Sequence, residues 1–298
     1  MARLFGLIGN RADLAGRVIE LERAVLSVPR EALGDAPVSW GMGFYQGGEV
    51  LIRRRPSDDR RDLDVLSLAK DLRSDLIVGH VRAATVGSVR TENTHPFRYR
   101  EWLFAHTGSL DKYPVIRARL LESIPEFIRK NVRGDTDSEV LFHLVLSFLH
   151  DAGRLSDGAS ADARTVMNAM SQAASLVDHL VEGEGGTPGF RLNAMITNGE
   201  VLVALHRSPE ADDTSAMKVR VVHGRADLDL LVADDALRRV RMTDPGALRF
   251  TLLASDFGAS QIVRRAADSV PPPSAWTALP PRAIVAATRD AAPIVEAF

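Results

Sequence analysis

The chain has no cysteine among its 298 residues. That absence excludes disulfides, thiolate metal sites and a cysteine nucleophile. It also has no excess of either charge: 37 lysines and arginines stand against 39 acidic residues, a formal net charge of -2. Such a balance carries no electrostatic footprint for nucleic acid or for an anionic membrane surface. No apolar run reaches the roughly 18 residues that a membrane span needs. The N-terminus shows no basic region, long apolar core and cleavage site of a secretory leader. Long-period repeats and low-complexity blocks are missing too. The expectation is a cytoplasmic protein with no nucleic-acid or membrane partner.

What is present is an ordinary globular composition, 45% hydrophobic and 26% charged, in a chain long enough to bury a substantial core. Residues 3–8 read as a strand closed by the turn signal Gly9-Asn10. Leu14, Val18, Leu21 and Val25 lie near helical spacing, which predicts a short amphipathic helix over 13–27. Residues 39–45, the pair Gly47-Gly48 and residues 50–52 form a hairpin signal. Gly41 and Gly43 inside its first strand mark either close backbone approach or packing room beside Trp40. Arg53-Arg54-Arg55 and Arg60-Arg61, interleaved with Asp58, Asp59, Asp62 and Asp64, read as a solvated, self-paired loop and not as a phosphate site.

Residues 76–85 and 102–110 are strands of buried type. The segment Gly134-Asp135-Thr136-Asp137-Ser138-Glu139 is a capped, acidic helix start. The helix it opens, 140–149, is almost wholly apolar and must be covered on most sides. A second helix over 163–182 carries Val166, Met170, Ala173, Ala174, Val177 and Val181 on its apolar side. Strands come next at 192–197 and 201–206, around the turn Asn198-Gly199-Glu200, and at 219–222, 230–232, 250–254 and 284–287. The prolines at 271–273 and 280–281 exclude helix from the tail. Strands, then long apolar helices, then strands again suit an α+β fold, a four-layer αββα sandwich with two mainly antiparallel sheets between helix layers. Residues 1–298 are expected to form one domain.

Several residues carry chemistry. Arg82, near the end of a buried strand, is costly unless it holds an anion, either a structural ion pair or a ligand carboxylate. His95 fits a general base or a hydrogen-bonding brace. Gly108 ends a strand where backbone N–H groups can face a ligand oxygen, or where a strand simply turns. Among the acids at 135, 137 and 139, capping accounts for one or two, leaving one for an ammonium group. Ser39, Thr85 and His95 are hydroxyl and base candidates that no spacing groups into a triad.

Six stretches, in order over roughly the first half of the chain, resemble the class II glutamine amidotransferases of the N-terminal nucleophile hydrolase superfamily. They are Arg3-Leu4-Phe5-Gly6, Trp40-Gly41-Met42-Gly43-Phe44-Tyr45, His80-Val81-Arg82-Ala83-Ala84-Thr85, Asn93-Thr94-His95-Pro96-Phe97, Phe104-Ala105-His106-Thr107-Gly108 and Gly134-Asp135-Thr136-Asp137-Ser138-Glu139. The likeness is nearest to the small stand-alone branch that includes the ergothioneine-pathway γ-glutamyl amidase. The later half matches in pattern only, with Ala254-Ser255-Asp256 as one further counterpart. The resemblance implies the nucleophile-hydrolase form of the sandwich, no cofactor and no metal, and a glutamine or γ-glutamyl ligand. It implies that Arg82 holds the ligand α-carboxylate and Asp137 its α-ammonium, with Thr85 and His95 in the substrate site and Gly108 giving an N–H to the oxyanion.

In that family an N-terminal cysteine attacks the side-chain amide, with its own amine relaying the proton. Position 2 here is Ala, and Thr107 stands where the family has the oxyanion-hole Asn. Two readings are open. One is an amidase or amidotransferase subunit, inactivated by substitution or using an unfamiliar mechanism, for which transfer would need a synthetase or acceptor partner protein. The other is a natural pseudoenzyme that binds a ligand or a protein without turnover.

Overall fold

The computed structural model describes residues 2–28, 38–57, 66–83, 88–155, 160–188, 191–208, 216–231, 245–255 and 275–298. Among them, the strands form two sheets in which every pairing is antiparallel. The first contains β1 (Ala2–Gly9), β2 (Val38–Gln46), β3 (Glu49–Arg55), β4 (Leu76–Ala83), β9 (Lys218–His223), β10 (Arg249–Ala254) and β11 (Thr277–Ala278), in the order β11-β9-β10-β1-β4-β2-β3. The second contains β5 (Phe97–Tyr99), β6 (Trp102–Gly108), β7 (Leu192–Thr197), β8 (Leu202–Arg207), β12 (Arg282–Ala287) and β13 (Ile294–Ala297), in the order β13-β12-β8-β7-β6-β5.

Strand alternation distributes the apolar side chains over three core layers. Leu4, Ile8, Leu76 and Val78 from the first sheet meet Ala105, Met195, Ala204 and Val285 from the second, so the sheets face each other. The opposite face of the first sheet, with Phe5, Leu7 and Ile77, is covered by α1 (Ala15–Leu21), α2 (Arg23–Leu26) and α7 (Gly224–Leu231). The opposite face of the second sheet, with Phe104, Ile196, Val203 and Ile284, is covered by α3 (Tyr113–Glu122), α5 (Asp137–Asp151) and α6 (Ala163–Gly183); the single-turn α4 (Glu126–Arg129) packs into the same layer through Ile128. The order helix, sheet, sheet, helix is the four-layer sandwich. The sheets approach closely because small residues line the contact. A Cβ added at Gly6 would press on Leu202 and Met195.

The predicted helix over 13–27 is two short helices broken at Glu22. The break has a use. The Glu22 carboxylate is buried and accepts from Trp276 Nε1 at 2.8 Å and from Arg220 Nε at 3.4 Å, joining the helix layer to β9 and the tail. The strand expected at 230–232 is instead the end of α7, with Val232 outside the described residues. Gly224 at φ +74° starts the turn, the Asp227 carboxylate accepts from His223 N, and Leu228 and Leu231 bury at helical spacing. Arginines 53–55 are not a loop but the end of β3. Arg54 is half-buried, and the acids at 58–64, Arg60 and Arg61 lie outside the described residues, as do residues 271–273. Gly41 and Gly43 are close approaches: a side chain at Gly41 would run into the His95 carbonyl oxygen and one at Gly43 into Leu103. Helix α3 escaped the sequence reading, although Pro114 in its first turn is a start signal.

Removing a buried carboxylate that serves two donors leaves both unmatched. Glu22→Ala is expected to cost about 3–5 kcal/mol of unfolding free energy, measured by urea denaturation; a loss below 1 kcal/mol would mean that the Trp276 and Arg220 contacts do not brace the layer.

Candidate functional site

The antiparallel register sets the first wall of the site. Ala2 on β1 stands opposite Arg82 on β4, and Arg82 stands opposite Ser39 on β2. On the facing sheet, Thr107 on β6 stands opposite Asn193 on β7, which stands opposite His206 on β8. Alternation turns Arg82, Ser39 and the whole of the second row toward the space between the sheets. Arg82 shares parity with Leu76 and Val78, and Thr107, Asn193 and His206 share parity with Ala105, Met195 and Ala204, all of the inter-sheet core. His206 Nδ1 lies 2.6 Å from Asn193 Oδ1, which fixes that side of the row. Burial pulls the His206 imidazole down to about 4, so it is neutral at physiological pH.

The second wall is the start of α5. Thr136 caps the helix, its hydroxyl oxygen accepting from Glu139 N at 3.3 Å. Asp137 is the first helical residue. Its Oδ2 accepts from Leu110 N and its Oδ1 from Ser138 N, both at 2.9 Å. The carboxylate thus ties the turn after β6 to the helix N-terminus, where the macrodipole favours a negative charge. Arg82 Nη1 donates to the Asn93 carbonyl at 3.4 Å. Burial lowers the Arg82 guanidinium from its ordinary value, and the negative charges of Asp137 and Asp135 oppose that effect. Arg82 and Asp137 therefore share one electrostatic neighbourhood.

Gly108 closes β6 at φ +122°, where a Cβ would run into the Arg191 carbonyl oxygen. Only glycine serves there. Thr107 is buried. Thr85 and Asp256 lie outside the described residues. His95 does not pair with Ser39: neither of its ring nitrogens has a hydrogen-bond partner among the described residues.

His95 instead belongs to a histidine cluster that spacing did not reveal. Its ring lies 4.4 Å from that of His80 and 4.6 Å from that of Phe97. His106, on β6, contacts Ser138 Oγ through Nδ1 at 2.9 Å. All three rings are buried. Burial pushes His80 down to about 3, with Arg82 and His106 adding repulsion. Burial lowers His95 strongly, reinforced by His80, His106, Arg82 and Arg54. Burial lowers His106 as well, Asp137 opposing and Arg82 assisting. The signal available in the sequence was that His80 and His106 interrupt otherwise apolar strands. Among the described residues, no group of three or more His, Asp or Glu is placed to hold a metal ion, and no helix is long and apolar enough to cross a membrane.

Folded-state values below the unfolded value of 6.5 mean that the unfolded chain takes up protons first as pH falls. This contribution to stability is complete above about pH 6.5 and is lost below it, by up to about 1.4 kcal/mol per pH unit for each histidine. Urea denaturation at pH 7.5 and 5.5 is expected to show the loss, and His80→Phe to reduce it. An equal loss in that variant would remove His80 from the explanation.

Comparison with known proteins adds independent findings. The family described as glutamine amidotransferases class-II matches residues 1–242. A probable glutamine amidotransferase of Saccharomyces cerevisiae is 27% identical over 158 residues, covering 51% of this chain and 44% of the relative. A gamma-glutamyl-hercynylcysteine sulfoxide hydrolase of Mycobacterium tuberculosis is 28% identical over 166 residues, covering 55% and 57%. The match spans about half the length of these relatives or less. Among solved structures, a glutamine aminotransferase class-II domain protein from Silicibacter pomeroyi aligns with a TM-score of 0.56 at 19% identity, covering 99% of both chains. A glutamine phosphoribosylpyrophosphate amidotransferase from Bacillus subtilis aligns with a TM-score of 0.54 at 14% identity, covering 99% of this chain and 49% of that one. At these identities the structural likeness speaks for the fold alone.

Proposed function

The chain belongs to the class-II glutamine amidotransferases, and from that premise we propose that it binds glutamine or a γ-glutamyl compound without carrying out the family's covalent hydrolysis. In this reading Arg82 takes the ligand α-carboxylate, which suits its planar fork. Asp137 takes the α-ammonium. Each of its oxygens already accepts one backbone N–H, and a carboxylate offers about four acceptor sites, so capacity remains. Thr107 and the Gly108 N–H lie toward the side-chain amide, with His95 and Thr85 completing the substrate site.

The observation that carries the reading is the pairing of a shared Arg82–Asp137 neighbourhood with a methyl side chain at position 2, in register with Arg82. The family reaction needs a thiolate that forms a bond to the amide carbon while the C–N bond breaks and the departing amine takes a proton. The Ala2 side chain has no lone pair to give, and the chain holds no cysteine anywhere. Thr107 in place of the oxyanion Asn removes a second element. Loss of one such donor costs about a hundred- to a thousandfold in rate. The single domain over 1–298 and the cytoplasmic location belong to the same proposal; a synthetase or acceptor partner protein is required if the chain turns over.

Calorimetric titration with L-glutamine and γ-glutamyl peptides tests the binding half. Saturable binding is expected, weakened by about tenfold or more in Arg82→Ala; binding indifferent to that substitution removes the clamp. Ammonia release tests the catalytic half. The chain is expected to release none, Ala2→Cys to release little, and Ala2→Cys with Thr107→Asn to release more than Ala2→Cys alone. Robust turnover by Ala2→Cys alone would identify an intact amidase lacking only its nucleophile.

A further inference from the structure

We propose that a small phosphorylated molecule binds in the cavity lined by Arg54, Arg98 and Arg133, next to but separate from the Arg82–Asp137 site. The cavity encloses about 530 Å³, and neither Arg82 nor Asp137 lines it. That size falls within the range of small-molecule sites. Arg54, Arg98 and Arg133 face two carboxylates, Glu92 and Glu139, so these five side chains leave one positive charge in excess in a chain whose net charge is -2. His143 adds none near neutral pH, because burial lowers its imidazole.

The two acids offset the arginines only in part. Each Glu139 oxygen is held by the backbone, Oε1 accepting from Arg133 N at 2.9 Å and Oε2 from Gly134 N at 2.6 Å. No ion pair joins Arg54, Arg98 or Arg133 to any carboxylate among the described residues. Neutral acceptors position two of these guanidiniums instead. Arg54 Nη1 donates to the carbonyls of Thr91 at 3.1 Å and Thr94 at 3.3 Å. Arg98 donates from Nε to the Arg100 carbonyl at 2.8 Å and from Nη1 to the Val50 carbonyl at 3.0 Å. Burial disfavours the charge on Arg54, and the negative charges of Glu139 and Glu92 oppose that effect without cancelling it. A bound dianion would reverse that penalty.

Three forks around one cavity suit a group with three oxygens and up to two charges, the chemistry of a phosphate monoester. A single carboxylate would use one fork and leave the others unmatched. The Tyr99 ring, with the Arg100 guanidinium 5.6 Å from its centroid, gives the organic part of the ligand a flat flank. The cavity shares a wall with the amino-acid site. Thr91 and Glu92 run directly into Asn93, whose carbonyl accepts from Arg82 and whose side-chain Nδ2 donates to Asp135 Oδ1 at 2.6 Å. The assignment stands on this lining alone and does not require the glutamine reading.

Isothermal titration of the full chain with sn-glycerol 3-phosphate, at fixed ionic strength, tests it. Saturable one-to-one binding is expected, weakened by about tenfold in each of Arg98→Ala and Arg133→Ala, with inorganic phosphate competing. Both side chains are exposed, so folding is retained, which circular dichroism checks. Arg90→Ala is the control, since Arg90 pairs with Asp135 at 3.5 Å outside the lining, and is expected to bind as the parent does. No saturable binding at millimolar ester, binding undiminished in both cavity variants, no competition by inorganic phosphate, or tighter binding of citrate would each overturn the proposal.

Discussion

The start of β1 is held by a buried arginine, and the geometry of the site depends on that anchor. Arg3 is fully buried and its Nη1 donates to the Ser255 carbonyl at 2.7 Å. Ser255 returns two contacts to the same strand: its N–H donates to the Leu4 carbonyl at 2.9 Å, and its hydroxyl oxygen accepts from Leu4 N at 3.3 Å. A desolvated guanidinium donor gains from an acceptor, and Nη1 finds one in the Ser255 carbonyl. Placing one here fixes the strand end to the end of β10. Once that end is fixed, the ladder to β4 puts position 2 opposite Arg82. A one-residue slip would send Leu4 and Ile8 out of the inter-sheet core, which makes the register costly to change.

The same economy governs the polar groups between the sheets. Asp137 braces two backbone amides and also balances Arg82. One side chain therefore braces the helix start and sets the electrostatics beside Arg82. The histidines nearby are kept neutral by burial and by the positive charge of Arg82. A site built this way carries its positive charge on the arginine and its negative charge on the carboxylates, with little charge between. In the proposed function that arrangement grips a zwitterion at both ends, and it needs no nucleophile to do so.

The arginines of β3 show how local sequence misleads. Arg53-Arg54-Arg55 beside four aspartates suggests mutual neutralisation, because charges near in sequence are expected to be near in space. Strand alternation turns Arg54 to the face opposite Arg53 and Arg55. Arg54 points over Gly41, where the missing side chain leaves room, and comes to rest on carbonyls from the 91–94 segment. Arg98 and Arg133 arrive from β5 and from the approach to α5. Three residues from distant parts of the chain converge, and no window of sequence contains them.

By itself, the sequence determined the features that depend on period and composition. The short apolar runs specified β1, β4, β6, β7 and β8, the capped acidic start at 134–139 specified α5, and helical spacing specified α6. The ordered short motifs pointed to the family, and the zero cysteine count removed its nucleophile. Helix α7 was misread because Leu230 and its neighbours suit a short strand as well as a helix turn, and Gly224 with Asp227 decided the matter. Only the tertiary structure decided which polar side chains meet. The His80–His95–His106 cluster, the Asn193–His206 pair and the arginine cavity are all assembled across strands or sheets. Periodicity records which face a residue occupies, but the distance between two faces is set by how the layers pack.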